Sequence, residues 1–508
     1  MSKTGGGIWR RVVIALAVWC FALALPAAAT IEYRVSLANP SEHILRITMT
    51  IPNVKDTVDV QMPAWNALYQ IRDFSSRVRE VKAHDAHGKP LAIAKRDTMT
   101  WRISGGESAV VSYGVFWDDP GPFATQLDSE HGFLNLAMVL FYVPDRRDEE
   151  TRVTFSDLPA GWEVAVALDP AGAEVARNSE APAYSAAGYD ELVDAPVEIG
   201  KFEQFRFDAA GARIRVAVHG TNWRRETLEA KLRRIVEYQV KLMEDAPFEE
   251  FLFIYHFDSG GGGMEHANST AIFTASDANA EGISAHEFFH LWNVKRIRPK
   301  TLQPVDYTRV NITRALWFAE GISDTYEAYT LLRTGMRSAQ DFYAGLAGEI
   351  AELERRPANR WKSVEEASLD AWLEAYRHYR RPEFSISYYN KGEILGVLLD
   401  ILIRDATDNR KSLDHVMRYL NTEYAQRGRY YDDSNGIRTA VERVAGVSFA
   451  EFFARYVAEA EPLPYEDTLR RAGLAFTLQG DGARIEESPT ANERQRRIRA
   501  GLLRGTTD

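Results

Sequence analysis

Residues 283–292 read Ile-Ser-Ala-His-Glu-Phe-Phe-His-Leu-Trp and contain the pattern His-Glu-x-x-His. On a helix, side chains four residues apart share a face, so His286 and His290 could aim at one ion. Two imidazoles in a tetrahedral arrangement suit zinc. Glu287 lies between them and could reach a water on that ion as its base. The same letters also fit two ordinary histidines in a buried helix, so the reading needs a third ligand. Residues 316–324, Leu-Trp-Phe-Ala-Glu-Gly-Ile-Ser-Asp, offer one. Glu320 follows a short apolar run and is the candidate, unless it merely opens a solvated helix face. Asp324 lies one turn further on the same face, where it could accept the spare N–H of a ligand histidine and fix its tautomer. Glu327, another turn on, could do the same for the other histidine.

Two other stretches carry possible chemistry. Residues 260–265 read Gly-Gly-Gly-Gly-Met-Glu. Glycines let a substrate backbone approach closely, and no Lys-Ser/Thr follows to make a phosphate loop. Glu265 could bind a substrate's α-ammonium through a charge-assisted bond, or the stretch could be a flexible loop ending in a surface carboxylate. Ser-Tyr-Tyr-Asn-Lys-Gly at 387–392 precedes a strongly apolar run. A tyrosine at the head of a buried helix can turn its hydroxyl into a cleft, or serve as an amphipathic core residue.

The elements that must position these groups fall into zones. Residues 1–29 resemble a signal peptide, with Arg10 and Arg11 before an apolar stretch too short to span a membrane comfortably and Ala27-Ala28-Ala29 before Thr30. Cys20, the single cysteine, lies within it, so the mature chain has no disulfide despite an oxidising destination. A periplasmic or secreted location is expected, with no stable membrane span once the signal is cleaved. Residues 30–208 alternate in the β manner with turn signals between strands, which predicts a β-sandwich-like domain. Residues 209–335 combine strands with helices and contain the zinc motif. Residues 336–464 are helix-rich, and 465–508 form a short tail. The composition, 45% hydrophobic and 26% charged over 508 residues, is globular. A net charge of −11 without a basic aromatic stripe argues against nucleic-acid binding. The fold class expected is multidomain α+β.

Taken together, Gly-Gly-Gly-Met-Glu-His, His-Glu-Phe-Phe-His-Leu-Trp-Asn-Val-Lys-Arg-Ile-Arg-Pro, Trp-Phe-x-Glu-Gly and Tyr-Tyr-x-Lys-Gly resemble the glycyl aminopeptidase family of gluzincin metallopeptidases. That family is similar to the aminopeptidase N-like enzymes and shares their thermolysin-like zinc core. The resemblance implies one Zn2+ held by His286, His290 and Glu320, Glu287 as base, and 209–335 as the catalytic domain, with 336–464 completing the active site. By similarity to the aminopeptidase N-like relatives, Glu265 would hold the substrate's amino terminus and Tyr389, rather than Tyr388, would stabilise the transition state. Gly262, Gly263 and Met264 would line the substrate. The implied activity is removal of N-terminal residues, Gly then Ala preferred, from peptides with a free N-terminus. A zinc endopeptidase and a non-catalytic periplasmic peptide-binding protein remain alternatives. His266 stands where those relatives have Asn, and the spacer between His290 and Glu320 is longer than theirs, implying an extra loop around 296–309. The family usually carries a C-terminal PDZ domain, and 465–508 is too short for one, so it reads as a remnant or a disordered tail.

Overall fold

Alternating burial along Ile31–Ser36 and Ile44–Ile51 puts every second side chain inside, as the period of a half-covered sheet requires. In this computed structural model, which describes residues 30–65, 72–172, 181–257, 260–480 and 482–505, the two strands sit centrally in a seven-stranded sheet. Ile31–Ser36 pairs parallel with Thr151–Ser156 and antiparallel with Ile44–Ile51. A three-stranded and a four-stranded sheet share its apolar core, where Tyr33, Ile47 and Val111 join Val60, Ile103, Leu134 and Ile199. The expected signal segment lies outside the described residues. Among the described residues no helix is long and apolar enough to cross a membrane.

A five-stranded sheet follows. Ala212–His219, Glu250–His256 and Ser269–Phe273 run parallel in that order. Parallel neighbours need a crossover, and Arg225–Met243 supplies the first, burying Leu228, Leu232, Ile235, Val236 and Leu242. Antiparallel strands flank both sides, Glu203–Ala209 beside Ala212–His219 and Gly262–Glu265 beside Ser269–Phe273. Glu203–Ala209, which the sequence groups with the β-rich domain, therefore belongs to this sheet by its hydrogen bonds. The glycine-rich segment that read as a possible loop is the edge strand Gly262–Glu265.

The helices Ala280–Phe289, Gly321–Arg333 and Tyr388–Ala406 stack beyond the sheet. Two close approaches join the last of these to the start of Gly321–Arg333 and to the short helix Leu316–Ala319 before it. A Cβ on Gly321 would overlap the Gly392 backbone, and one on Gly392 would overlap the Trp317 carbonyl oxygen. Glycine at both positions lets these backbones touch. After Pro464 come a helix Tyr465–Arg471, a hairpin of Leu474–Gln479 with Gly482–Glu487, and a helix Glu493–Arg504. Ile485, Ile498 and Leu502 enter the main core, and Arg494 and Arg497 meet Asp405 and Asp408. The helix Glu493–Arg504 thus docks on the helical domain.

Candidate metal centre

The helix Ala280–Phe289 carries His286 and Glu287, and His290 caps its end. Its backbone is fixed from behind, where the Gln239 amide donates to the Ala285 carbonyl at 2.7 Å and the hydroxyls of Tyr255 and Ser284 meet at 2.6 Å. Glu320 sits at the joint between the short helix Leu316–Ala319 and Gly321–Arg333. His286 Nε2 and His290 Nε2 are 2.9 Å apart, and Glu320 Oε2 lies 3.6 and 3.3 Å from them. All three residues are buried.

The proton positions test whether a cation fits. His286 Nδ1 faces Asp324 Oδ1 at 2.7 Å, and His290 Nδ1 faces the Asn293 carbonyl at 2.5 Å. A carboxylate and a carbonyl only accept, so each Nδ1 carries the proton of its neutral ring. Both Nε2 lone pairs then converge on one point with a carboxylate oxygen. Donors about 2.0–2.1 Å from a tetrahedral zinc ion stand roughly 3.3 Å from one another. The observed triangle brackets that value, so the residues fit zinc. Charges agree. Burial works to raise the Glu320 carboxyl, but the two imidazoles outweigh it and hold it well below the usual carboxylate range. Burial lowers both histidines, while Asp324 and Glu320 outweigh it and raise His286, and Glu320 does so for His290.

Glu287 is 6% exposed and its Oε2 has no hydrogen-bond partner. Burial pushes its carboxyl up to about 8, and the neighbouring Glu265 and Glu320 add to this against the two histidines. A divalent cation alongside would draw it back down. Glu287 faces the edge strand, where a Cβ on Gly263 would overlap its carboxylate. Gly262 has φ +109°, which favours glycine. Glu265 lies two residues along the same face, its carboxylate grouped with Glu287 and His290. Met264 is buried on the opposite face. Tyr389 is 37% exposed, its ring centred 6.2 Å from that of His286, while Tyr388 is buried. The other sequence-derived residues lie together, with two corrections: Met264, expected to line the substrate, is turned away from Glu287, and Glu327 is placed differently. Glu327 does not face the second histidine. It lies with Asp324 on the His286 side, because His290 Nδ1 is turned to the Asn293 carbonyl.

Two family profiles match this chain, the Peptidase M61 N-terminal domain over residues 32–201 and the M61 glycyl aminopeptidase over 279–395, together more than half its length. The chain belongs to the M61 glycyl aminopeptidase family. This M61 peptidase is also similar in structure to an aminopeptidase N family protein from Idiomarina loihiensis, with 25% identity, TM-score 0.83, and 89% of this chain and 79% of that one covered. An M1 zinc metallopeptidase from Deinococcus radiodurans shares the fold at 15% identity and TM-score 0.53, covering 86% and 95%, and a mutant of it bound to a Tyr-Ser-Ala substrate matches equally. No curated protein matches. The findings support a zinc metallopeptidase of the M61 family.

Two features of this M61 peptidase escaped the sequence. Asn293 accepts from His290 through its carbonyl, and its amide donates to the Phe318 and Ala319 carbonyls at 2.9 and 3.1 Å. It ties one histidine to the helix that presents Glu320. Its place directly after the motif's Leu-Trp is the one available clue. His266, the departure from the aminopeptidase N-like pattern, faces away from the Glu265 side and reaches Asp194 at 3.4 Å.

Proposed function

We propose that this M61 peptidase is an aminopeptidase that removes N-terminal residues from peptides, Gly and then Ala preferred, in the periplasm or outside the cell. The placement of Glu265 carries the reading. Its carboxylate lies within 4.8 Å of Glu287 and a histidine nitrogen, on the edge strand to which a peptide could add as a further strand. A fixed negative charge there suits an α-ammonium one residue from the scissile bond and does not suit a continuing chain. The preference for a small first residue is carried over from the family.

Zinc, when bound by His286, His290 and Glu320, supplies a Lewis acid that polarises the carbonyl and acidifies water towards neutrality. Glu287, unpaired at Oε2, takes the proton of the attacking water and delivers it to the leaving amine. The Tyr389 hydroxyl donates to the carbonyl oxygen as negative charge develops there. Asp324 and the Asn293 carbonyl hold the two imidazoles in the tautomer that keeps Nε2 free.

The test is hydrolysis of Gly-p-nitroanilide beside its Ala and Leu analogues and N-acetyl-Gly-p-nitroanilide, with wild type and Glu287→Gln. Release from Gly above Ala and Leu, none from the acetylated compound and none by the variant is expected. Equal release from the acetylated compound would show an endopeptidase. No cleavage of any peptide by a zinc-loaded chain would leave a peptide-binding protein.

A further inference from the structure

A second set of metal-ligating side chains lies where the N-terminal sheets meet the catalytic sheet. His131 and Glu198 come from the paired strands His131–Leu134 and Val197–Gly200, and His256 ends the catalytic strand Glu250–His256. Their exposures are 6%, 0% and 4%. Glu198 stands between the rings. His256 Nε2 is 2.8 Å from Glu198 Oε2, and His131 Nδ1 is 3.3 Å from Glu198 Oε1. The second contact is an ion pair without hydrogen-bond geometry, so His131 Nδ1 and Glu198 Oε1 are buried facing each other with no well-formed hydrogen bond. One donor atom from each residue lies within 4.8 Å of the others. His219, from the adjacent catalytic strand Ala212–His219, stacks on His131 at 4.3 Å and stands 5.1 Å from His256.

Buried polar atoms without partners are rare, and two facing each other at the ligand-to-ligand spacing of a tetrahedral ion suggest what would satisfy them. We propose that His131, Glu198 and His256 form a second site for a divalent transition cation, zinc by its donor set, which pins the N-terminal domain to the catalytic sheet. Imidazole nitrogen and carboxylate oxygen are the donors such ions take. Asp128 Oδ2 lies 3.8 Å from His131 Nε2 and can orient that ring from outside. Three protein donors from two domains make the ion a clip. It closes the end of the strand that leads into the glycine segment, a water completing the fourth position of its shell.

The experiment uses the untagged chain and does not read peptidase activity, so it stands apart from the aminopeptidase reading. A His286→Ala/His290→Ala double variant has lost two of the three donors of the first site. Equilibrated with zinc chloride and desalted, it should retain one zinc ion per chain, and cobalt(II) in its place should show the visible bands of a coordinated ion. Adding Glu198→Gln should abolish both signals, and zinc should raise the Tm of the double variant alone. A double variant without zinc and without cobalt bands overturns the proposal and leaves a hydrogen-bonded His–Glu–His junction. Should that variant not fold, the intact histidine pair serves: two ions in wild type against one in Glu198→Gln supports the site, and one in both overturns it.

Discussion

At the scale of single residues, the site depends on polar groups whose partners are already assigned. Tyr389 has its ring near His286 and remains open to solvent. Losing one donor to a developing oxyanion typically costs about 3 kcal/mol, so Tyr389→Phe should slow kcat roughly a hundredfold or more while zinc content stays unchanged. Gly263 makes a different demand. A methyl group there would occupy the space of the Glu287 carboxylate, and the two must separate. Gly263→Ala should cut kcat/KM by at least about tenfold, since displacing a positioned base forfeits part of its roughly 10²–10⁴-fold contribution. Circular dichroism and metal content should match wild type. Wild-type activity in Gly263→Ala would mean that Glu287 works from another position.

At the scale of elements, the crossing of Gly321–Arg333 with Tyr388–Ala406 sets the distance between Glu320 and Tyr389. The contact continues one turn on, where a Cβ at Gly396 would strike Thr325 and Ile322. Small residues four apart on one helix face thus meet the Glu320 helix along its first turns. Gly392→Ala would drive a methyl group into the Trp317 carbonyl and part the helices. Overpacking of this kind costs about 1–3 kcal/mol, which urea denaturation would register as a lower midpoint. Activity should fall further than stability alone accounts for, because Tyr389 moves with its helix. These glycines were visible as letters in Trp-Phe-x-Glu-Gly and Tyr-Tyr-x-Lys-Gly. Their purpose was not, since neither segment names the other as its partner.

At the scale of the whole molecule, the spacer before Glu320 and an ion pair beside it are among the contacts that join the domains. The long spacer between His290 and Glu320 reaches the N-terminal domain, where Tyr307 is buried in its core and the Trp65 indole donates to the Asp306 carbonyl at 2.7 Å. The same spacer meets the helical domain through the Lys300 N–H and the Tyr431 carbonyl. Nearby, Lys295 Nζ lies 2.6 Å from Asp194 Oδ1, at 9% and 23% side-chain exposure. Burial works to raise the Asp194 carboxyl, but Lys295 and His266 outweigh it and depress it well below the usual range. A depressed acid stabilises the fold above its unfolded pKa of about 3.9 and loses that contribution as pH falls from there towards the folded value. The wild-type Tm should therefore drop faster than that of Asp194→Asn below about pH 4. At neutral pH the variant should be less stable by about 2–3 kcal/mol, under the figure for a fully buried broken pair because solvent reaches Asp194. Parallel Tm curves against pH would show that the pair contributes nothing.

The zinc motif, its third carboxylate and Asp324 were legible from sequence because helical spacing is local: residues four apart share a face whatever surrounds them. The sheet-rich start was legible for the same reason, as a period of two in the chain. Contacts distant in sequence were decided only by the tertiary structure. Glu327 was assigned to a histidine by spacing, and a backbone carbonyl took that histidine instead. Residues 203–208 fell within the expected β-rich domain, and their hydrogen bonds place them in the catalytic sheet. The cluster of His131, Glu198 and His256 has no local signature at all, since its members are brought together by the meeting of two domains.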